Sequence, residues 1–377
     1  ISELGMTESQ LGMVSAFYFM PVAILAIIIG RALDKYSVKN FMMIGAVIYA
    51  IGLFSLSFIN SYWSLLTVYL TILALGSIMM GNLAVAKLIS NWFDKNAGRA
   101  LGIAAVGISF SGVVLPLVVD PLLDLVGWRN VYIIFASVIL FIILPLIFFT
   151  VIDDPKSVNQ VKDGIKKDNE DQSIPQEMTA KELLSKKVFW IISLAFAFQF
   201  LSMMGVLSFL PVHASKMGLD ETWNLLGLPV KQYVFAYALS AFGGVLGKIL
   251  FGYLMDLMKA AYPSMIAMFL QAIGIFGITY FNEPSIFLLS AFIFGLGFGA
   301  AMPLMTACYL RIFGADNLGK ARGISSPIVS PLQPIGILIT SILIGFQDTY
   351  FVAFNIMGCV ALVAVVLASQ IQEPEKI

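Results

Sequence analysis

The residue with the most chemistry to offer is Lys248, set in the run Ala241-Phe-Gly-Gly-Val-Leu-Gly-Lys248-Ile-Leu-Phe-Gly252. Eight residues separate it from Asp256, which on a helix is roughly 12 Å of rise. If the run lies in a membrane, that depth is uncomfortable for an ammonium, which costs on the order of 2.5–3.5 kcal/mol by insertion scales. Three roles fit: attracting an anionic solute, pairing with another helix, or snorkelling to the surface on its long stem. The other deep polar residues are Tyr18, Gln199, Ser202, Gln271, Thr306, Ser330 and Gln333. Each either lines a cavity or makes an interhelix hydrogen bond. Lys87, six residues before Phe93, reads as a snorkelling cation. His213, the only histidine, reads as an ordinary residue in the loop at a helix end. No acid lies deep in the apolar runs, so no intramembrane proton carrier is visible. Coupling then falls to the solute carboxylate with Lys248, to a helix outside this sequence, or to anion exchange.

These residues need a membrane to give them meaning, and the composition supplies one. Apolar residues make up 59% of the 377 and charged residues only 12%, with mean hydropathy +0.93, against roughly 25% charge in soluble domains. Formal net charge is zero, which removes the electrostatic case for nucleic acid. Cys308 and Cys359 lie inside apolar stretches with no metal-ligand spacing and read as packing residues. No nucleophile–base set, phosphate loop or metal cluster stands out, so neither an enzyme nor a cofactor is expected. Ile1 to Gln10 lacks the basic start of a cleavable signal peptide.

Eleven apolar runs are long enough to cross a bilayer. They lie near 9–33, 39–60, 62–89, 97–122, 128–152, 188–214, 229–255, 263–282, 284–309, 321–347 and 350–370. No run alternates like a barrel strand, so an all-helical membrane protein is predicted. The stretch 153–187 holds 15 of the 44 charged residues and reads as a linker, with a capped amphipathic turn at Thr179-Ala-Lys-Glu182. It separates lobe 1–152 (five helices) from lobe 188–377 (six). Placing the linker in the cytoplasm puts 17 of 22 basic residues on that side, together with the C-terminus.

The halves repeat. Gly30-Arg-Ala-Leu-Asp34-Lys35 returns as Gly252-Tyr-Leu-Met-Asp256, 222 positions later. Phe93, Gly98, Arg99 and Gly102 return as Phe313, Gly319, Lys320 and Gly323. In this register the first half lacks its opening helix, which implies a natural chain about 25–35 residues longer at its start and twelve helices in all. Parallel repeats of this kind are characteristic of two-lobed transporters with a central site.

On these motifs the chain resembles the major facilitator superfamily along nearly its whole length. Within it, Asn91-Trp92-Phe93…Gly98-Arg99-Ala-Leu-Gly102, Gly107…Gly112 and Gly127-Trp128-Arg129 look like the monocarboxylate and oxalate/formate carriers. Ser37 stands where the family motif has glycine, and the second copy has lost most of its basic tail. The resemblance implies a two-lobe helical bundle in the cell membrane, with eleven spans present of twelve. It also implies that Lys248 binds the substrate carboxylate, where arginine is common, with Tyr18, Gln199, Ser202 and Gln333 as further lining residues. Gly30, Asp34, Lys35, Gly252, Asp256 and Arg99 are implied as gate residues, Asp34 meeting a helix start near Arg322 to Ser325. The oxalate carriers' lysine in the eleventh family helix is missing from Ser325 to Pro334. One deep positive charge suits one carboxylate, so the expected cargo is a small monocarboxylate, proton-coupled or exchanged, with lipid as the other partner and a monomer as the working unit. A neutral or cationic solute is the alternative transport reading, and a non-transporting sensor the reading outside transport.

Overall fold

The computed structural model describes residues 2–33, 35–93, 97–160, 178–225, 227–347 and 349–373. Ten of its helices are long and apolar enough to cross a membrane. One of them, Phe110–Thr150, has 41 residues, about twice what a bilayer requires. It belongs to a continuous rod that begins at Ala97 and breaks at Gly127, whose φ of 75° and ψ of 158° are left-handed and open to glycine alone. Gly127 lies between the expected spans 97–122 and 128–152. The ten helices therefore carry the eleven predicted crossings.

Short polar caps separate the spans and satisfy backbone N–H groups that lipid cannot. The Ser37 hydroxyl accepts from the Asn40 N–H at 3.1 Å, and Glu283 accepts from the Ile286 N–H at 2.9 Å ahead of Pro284. Thr179 and Glu182 form a reciprocal capping box before helix Ala180–Ser185, as the spacing predicts. One segment departs from the all-helical expectation. Thr222–Leu225 and Leu228–Lys231 pair as an antiparallel hairpin, and Gly227, with a φ of 87°, lets the chain reverse between them.

The chain divides into two compact units, residues 1–108 with 121–171, and residues 109–120 with 172–377. In the first, Glu3 accepts from Trp128 Nε1 at 3.0 Å and from Arg129. Those two donors, Trp128 foremost, hold its carboxyl below the usual carboxylate range. In the second, helix Lys187–Leu207 is the most enclosed span, most of its residues being buried. Small residues let its neighbours meet backbone to backbone. Along helices Gln232–Leu257 and Pro284–Gly299, a Cβ on Gly295 would fall 2.0 Å from the Ser240 carbonyl oxygen. One on Gly247 would fall 2.3 Å from that of Leu296, and one on Gly299 2.1 Å from that of Gly244.

His213 departs from its expected place. It sits in helix Leu210–Lys216, buried, with Nε2 3.0 Å from the Ile278 carbonyl and its ring against Tyr350 and Phe354. Aromatic neighbours absorb the imidazole face that hydropathy assigns to solvent. Cys308 is buried as expected, whereas Cys359 is exposed, on the outward face of terminal helix Tyr350–Ala368, beside Asn355 and Val363 in an apolar groove. An apolar run in a membrane has a lipid-facing side as well as a packed one, and hydropathy alone does not separate them.

The glycine seam yields a contrast. Gly295→Leu forces two helices apart and should lower stability by about 1–3 kcal/mol, read as a lower melting temperature in detergent. Gly252→Ala should melt no lower than the parent, since nothing lies within 4 Å of that position.

Candidate functional site

Lys248 lies on helix Gln232–Leu257 immediately after the glycine seam, and it is half-buried. Its depth follows from two contacts. Gly244 packs on Gly299, and farther along Arg311 donates to the carbonyls of Met255 and Met258. Helix Gln232–Leu257 and the span Pro284–Phe313, made of helices Pro284–Gly299 and Ala301–Phe313, thus run side by side in the same direction, and Lys248 stands level with about Met302. Arg311, which also pairs with Glu373 at 3.2 Å, marks the end of the span on the linker side. Lys248 is seven residues from Met255, roughly 10 Å of rise into the span.

The predicted lining residues occupy different surroundings. Gln199 and Ser202, both fully buried, come together with the equally buried Gln271. The Gln271 amide donates to Ser202 Oγ at 2.7 Å and to the Gln199 carbonyl at 3.0 Å, and the Gln199 amide donates to the Gly297 carbonyl at 3.2 Å. Among the described residues the amide oxygens of Gln199 and Gln271 have no partner. The cluster is an interhelix clasp whose vacant groups are acceptors, and a carboxylate asks for donors. Tyr18 belongs to the other unit, where its hydroxyl donates to Ser77 Oγ at 2.6 Å and its ring meets Tyr69 edge-on. Gln333 is half-buried beside the Ser330-Pro331 break between helices Ala315–Val329 and Leu332–Gln347, its backbone N–H 3.4 Å from the Ser330 carbonyl.

The gate residues lie at helix ends. Gly30 faces the Leu83 side chain at 3.9 Å. Lys35 is exposed in the following turn, its N–H donating to the Ala32 carbonyl at 3.0 Å. Asp34 lies outside the described residues, and so does the side chain of Arg99, whose backbone is in the opening turn of helix Ala97–Val138. Gly252 and Asp256 are exposed on the last two turns of helix Gln232–Leu257.

The surroundings of two residues were not expected from the sequence. Asp120 is 4% exposed; it accepts from the Lys231 N–H at 2.9 Å and lies 3.8 Å from its ammonium, fixing the end of the hairpin. Arg322, read as a surface cation and helix start, is half-buried and donates to Thr306 Oγ1 and, at 3.8 Å, to Met302 Sδ. The signal available was its position, sixth in the span Asn317–Phe346, within reach of a long side chain pointing inward.

The family model described as Major Facilitator Superfamily matches residues 1–332. "MFS-type transporter 1" of Ophiocordyceps sp. is 22% identical over 331 residues, covering 86% of this chain and 68% of its own. The fujikurins efflux protein of Gibberella fujikuroi is 25% identical, covering 82% and 63%, and the glycerol-3-phosphate transporter of Bacillus subtilis is 23% identical, covering 76% and 65%. The chain spans about two thirds of the length of these relatives. A bacterial homologue of the human lysosomal transporter Spinster, in an inward-facing and occupied conformation, superposes with a TM-score of 0.71 at 15% identity, covering 98% of this chain and 89% of its own.

The clasp should prove structural. Gln271→Leu removes the donor to Ser202 and to the Gln199 carbonyl, and should lower stability by about 1–3 kcal/mol, measured by thermal melting in detergent.

Proposed function

The chain belongs to the Major Facilitator Superfamily, a family of secondary transporters, and from that premise we propose that it carries a small organic anion by alternating access, with Lys248 as the anion contact. The observation that carries the reading is the place of that ammonium: half-buried, well inside a span, next to a seam that fixes its helix. A charge at such depth in a transport fold has its best use in meeting an opposite charge on the cargo. The glycerol-3-phosphate transporter of Bacillus subtilis, a relative named for an anionic solute, lends support. Lysine acts here as a point charge, so it accepts carboxylate or phosphate without imposing one pose. A monocarboxylate is the cargo this residue would select alone. Gly30, Asp34 and Lys35, with Gly252, Asp256 and Arg99, serve the gate on the linker side, which we assign to the cytoplasm with the C-terminus. Coupling is to protons or to a counter-anion.

A second reading has one observation in its favour, the resemblance to a fujikurins efflux protein. On that reading the cargo is a larger neutral or cationic compound and Lys248 is structural.

In proteoliposomes, Lys248→Ala should abolish uptake of lactate, formate and other small acids, while the purified variant melts within a few degrees of the parent. Lys248→Arg should retain uptake. Full transport by the alanine variant, or a thermal shift with neutral solutes and none with acids, would remove the anion from the assignment.

A further inference from the structure

We propose that Asp120 is the gating residue on the side of the membrane opposite the linker, and that it closes the carrier there by holding the backbone N–H of Lys231. The inference rests on the reading of the chain as an alternating-access carrier and does not depend on Lys248 or on the identity of the cargo.

Four observations carry it. The first is the place. Lys231 precedes helix Gln232–Leu257, whose other end, at Met255 and Met258, lies on the linker side under Arg311. Asp120 therefore meets this helix at its far end. The second is the contact itself. Asp120 is buried; its Oδ2 accepts from the Lys231 N–H at 2.9 Å, while its Oδ1 stands 3.8 Å from the ammonium. A carboxylate on a donor at that distance makes a charge-assisted bond, whereas a long ion pair to a partly exposed lysine contributes little. The backbone N–H is the principal partner and the ammonium a minor one. The third is how that N–H is aimed. The hairpin pairs Lys231 with Thr222. The Gln232 N–H donates to the Glu221 carbonyl and the Tyr233 N–H to the Leu219 carbonyl, both at 3.0 Å, and the Gln232 amide donates to the Glu221 carboxylate at 3.1 Å. Trp223 packs its ring on Phe235. These contacts fix the start of the helix and turn the Lys231 N–H to the rod. The fourth is the rod. Its residues 109–120 group with the second unit, although they belong to the first half of the sequence. A Cβ on Gly112 would lie 3.2 Å from that of Ala241, so the rod follows helix Gln232–Leu257 in the opposite direction. Pro116, Pro121 and the break at Gly127 flank Asp120, and a helix interrupted in this way can bend.

The result is a seam fastened at its mouth by one principal bond. Alternating access requires the contact on that side to part when the carrier opens there. Because the bond lies at the end of the span, parting returns the acid and the N–H to water and not to lipid, so neither is left unsatisfied.

The test is side-specific labelling. A cysteine replaces Ala241, which the rod covers at Gly112, in a chain whose Cys308 and Cys359 are changed to serine. A membrane-impermeant maleimide is added to intact cells, from which the hairpin faces outward on the orientation assigned above. The parent should label slowly, and Asp120→Leu about tenfold faster or more. Asp120→Asn, which keeps an acceptor for the N–H, should fall between. Lys231→Pro deletes the N–H and leaves the acid, and the φ of −74° at that residue suits proline; it should label as fast as Asp120→Leu. Lys231→Gln deletes the ammonium and keeps the N–H, and should label within about threefold of the parent. Each purified variant should melt within a few degrees of the parent, which separates a gate from a contact that merely stabilises the fold. Fast labelling of the parent, or slow labelling of Asp120→Leu and Lys231→Pro, overturns the gate. An equal gain in Lys231→Gln and Lys231→Pro overturns the role of the backbone N–H. None of these outcomes bears on Lys248, whose reading stands or falls on uptake.

Discussion

Lipid offers a polar group nothing to bond to, and the chain is arranged around that constraint. Each helix end must be capped, each buried hydroxyl or amide must find a partner inside the protein, and each charge must reach water, an opposite charge or a guest. Hydroxyls along the spans comply locally. Ser193, Thr279 and Ser290 each donate to the carbonyl four residues back. Arg311 complies at a helix end, where it covers carbonyls that the last turn of helix Gln232–Leu257 leaves open and then meets Glu373. Asp120 complies by taking both the N–H and the ammonium of Lys231. Against this background, a guanidinium satisfied by a hydroxyl and a thioether departs from the rule, and departures inside a membrane are where solute chemistry is to be sought.

The same constraint decided what could be read from the sequence. Spans, caps and the repeat are written in residue type: about twenty apolar residues in a row, a Ser or Thr before them, a glycine and an acid at equal spacing in both halves. Thr179 and Glu182 were readable because a capping box is a local pattern. Gly127 was readable as a boundary because it falls between the apolar runs 97–122 and 128–152. What hydropathy does not encode is the side toward which a residue turns. Cys359 and Cys308 sit in equally apolar surroundings in the sequence, yet one faces outward and the other inward. His213 looked like a loop residue because its aromatic cage comes from Phe287, Tyr350 and Phe354, far away in the chain. Gln199 and Ser202 were recognisable as deep and polar, but their meeting with Gln271 depends on how two distant helices cross.

Arg322 shows this limit most clearly. Its backbone lies near the end of a span, where arginine is common and signals topology. The side chain decides its role, and it extends toward Thr306 and Met302 rather than toward the linker. Residue type and position gave the charge and the level of its Cα; the direction of a six-bond lever was supplied by packing.

The two cations also differ in how firmly they are held, which bears on how a carrier could bind and release. Lys248 follows Gly243, Gly244 and Gly247, whose close approach to Phe292, Leu296 and Phe298 leaves no room for the two helices to slide without lifting apart. Met302 and Thr306 lie on the next helix, Ala301–Phe313, which follows Gly299 across Ala300. Arg322 rides on helix Ala315–Val329, which contains Pro327 and is cut from helix Leu332–Gln347 at Ser330-Pro331. Its own linker end is tied elsewhere, through Asn317 Oδ1, which accepts from the Met178 N–H, and Lys320, which donates to the Met178 carbonyl. A helix free at a proline break and tethered at its start can tilt about that tether, whereas the glycine seam cannot. Any change in the spacing of the two charges therefore has to come from the Ala315–Val329 piece, while the glycine seam holds Lys248 in place.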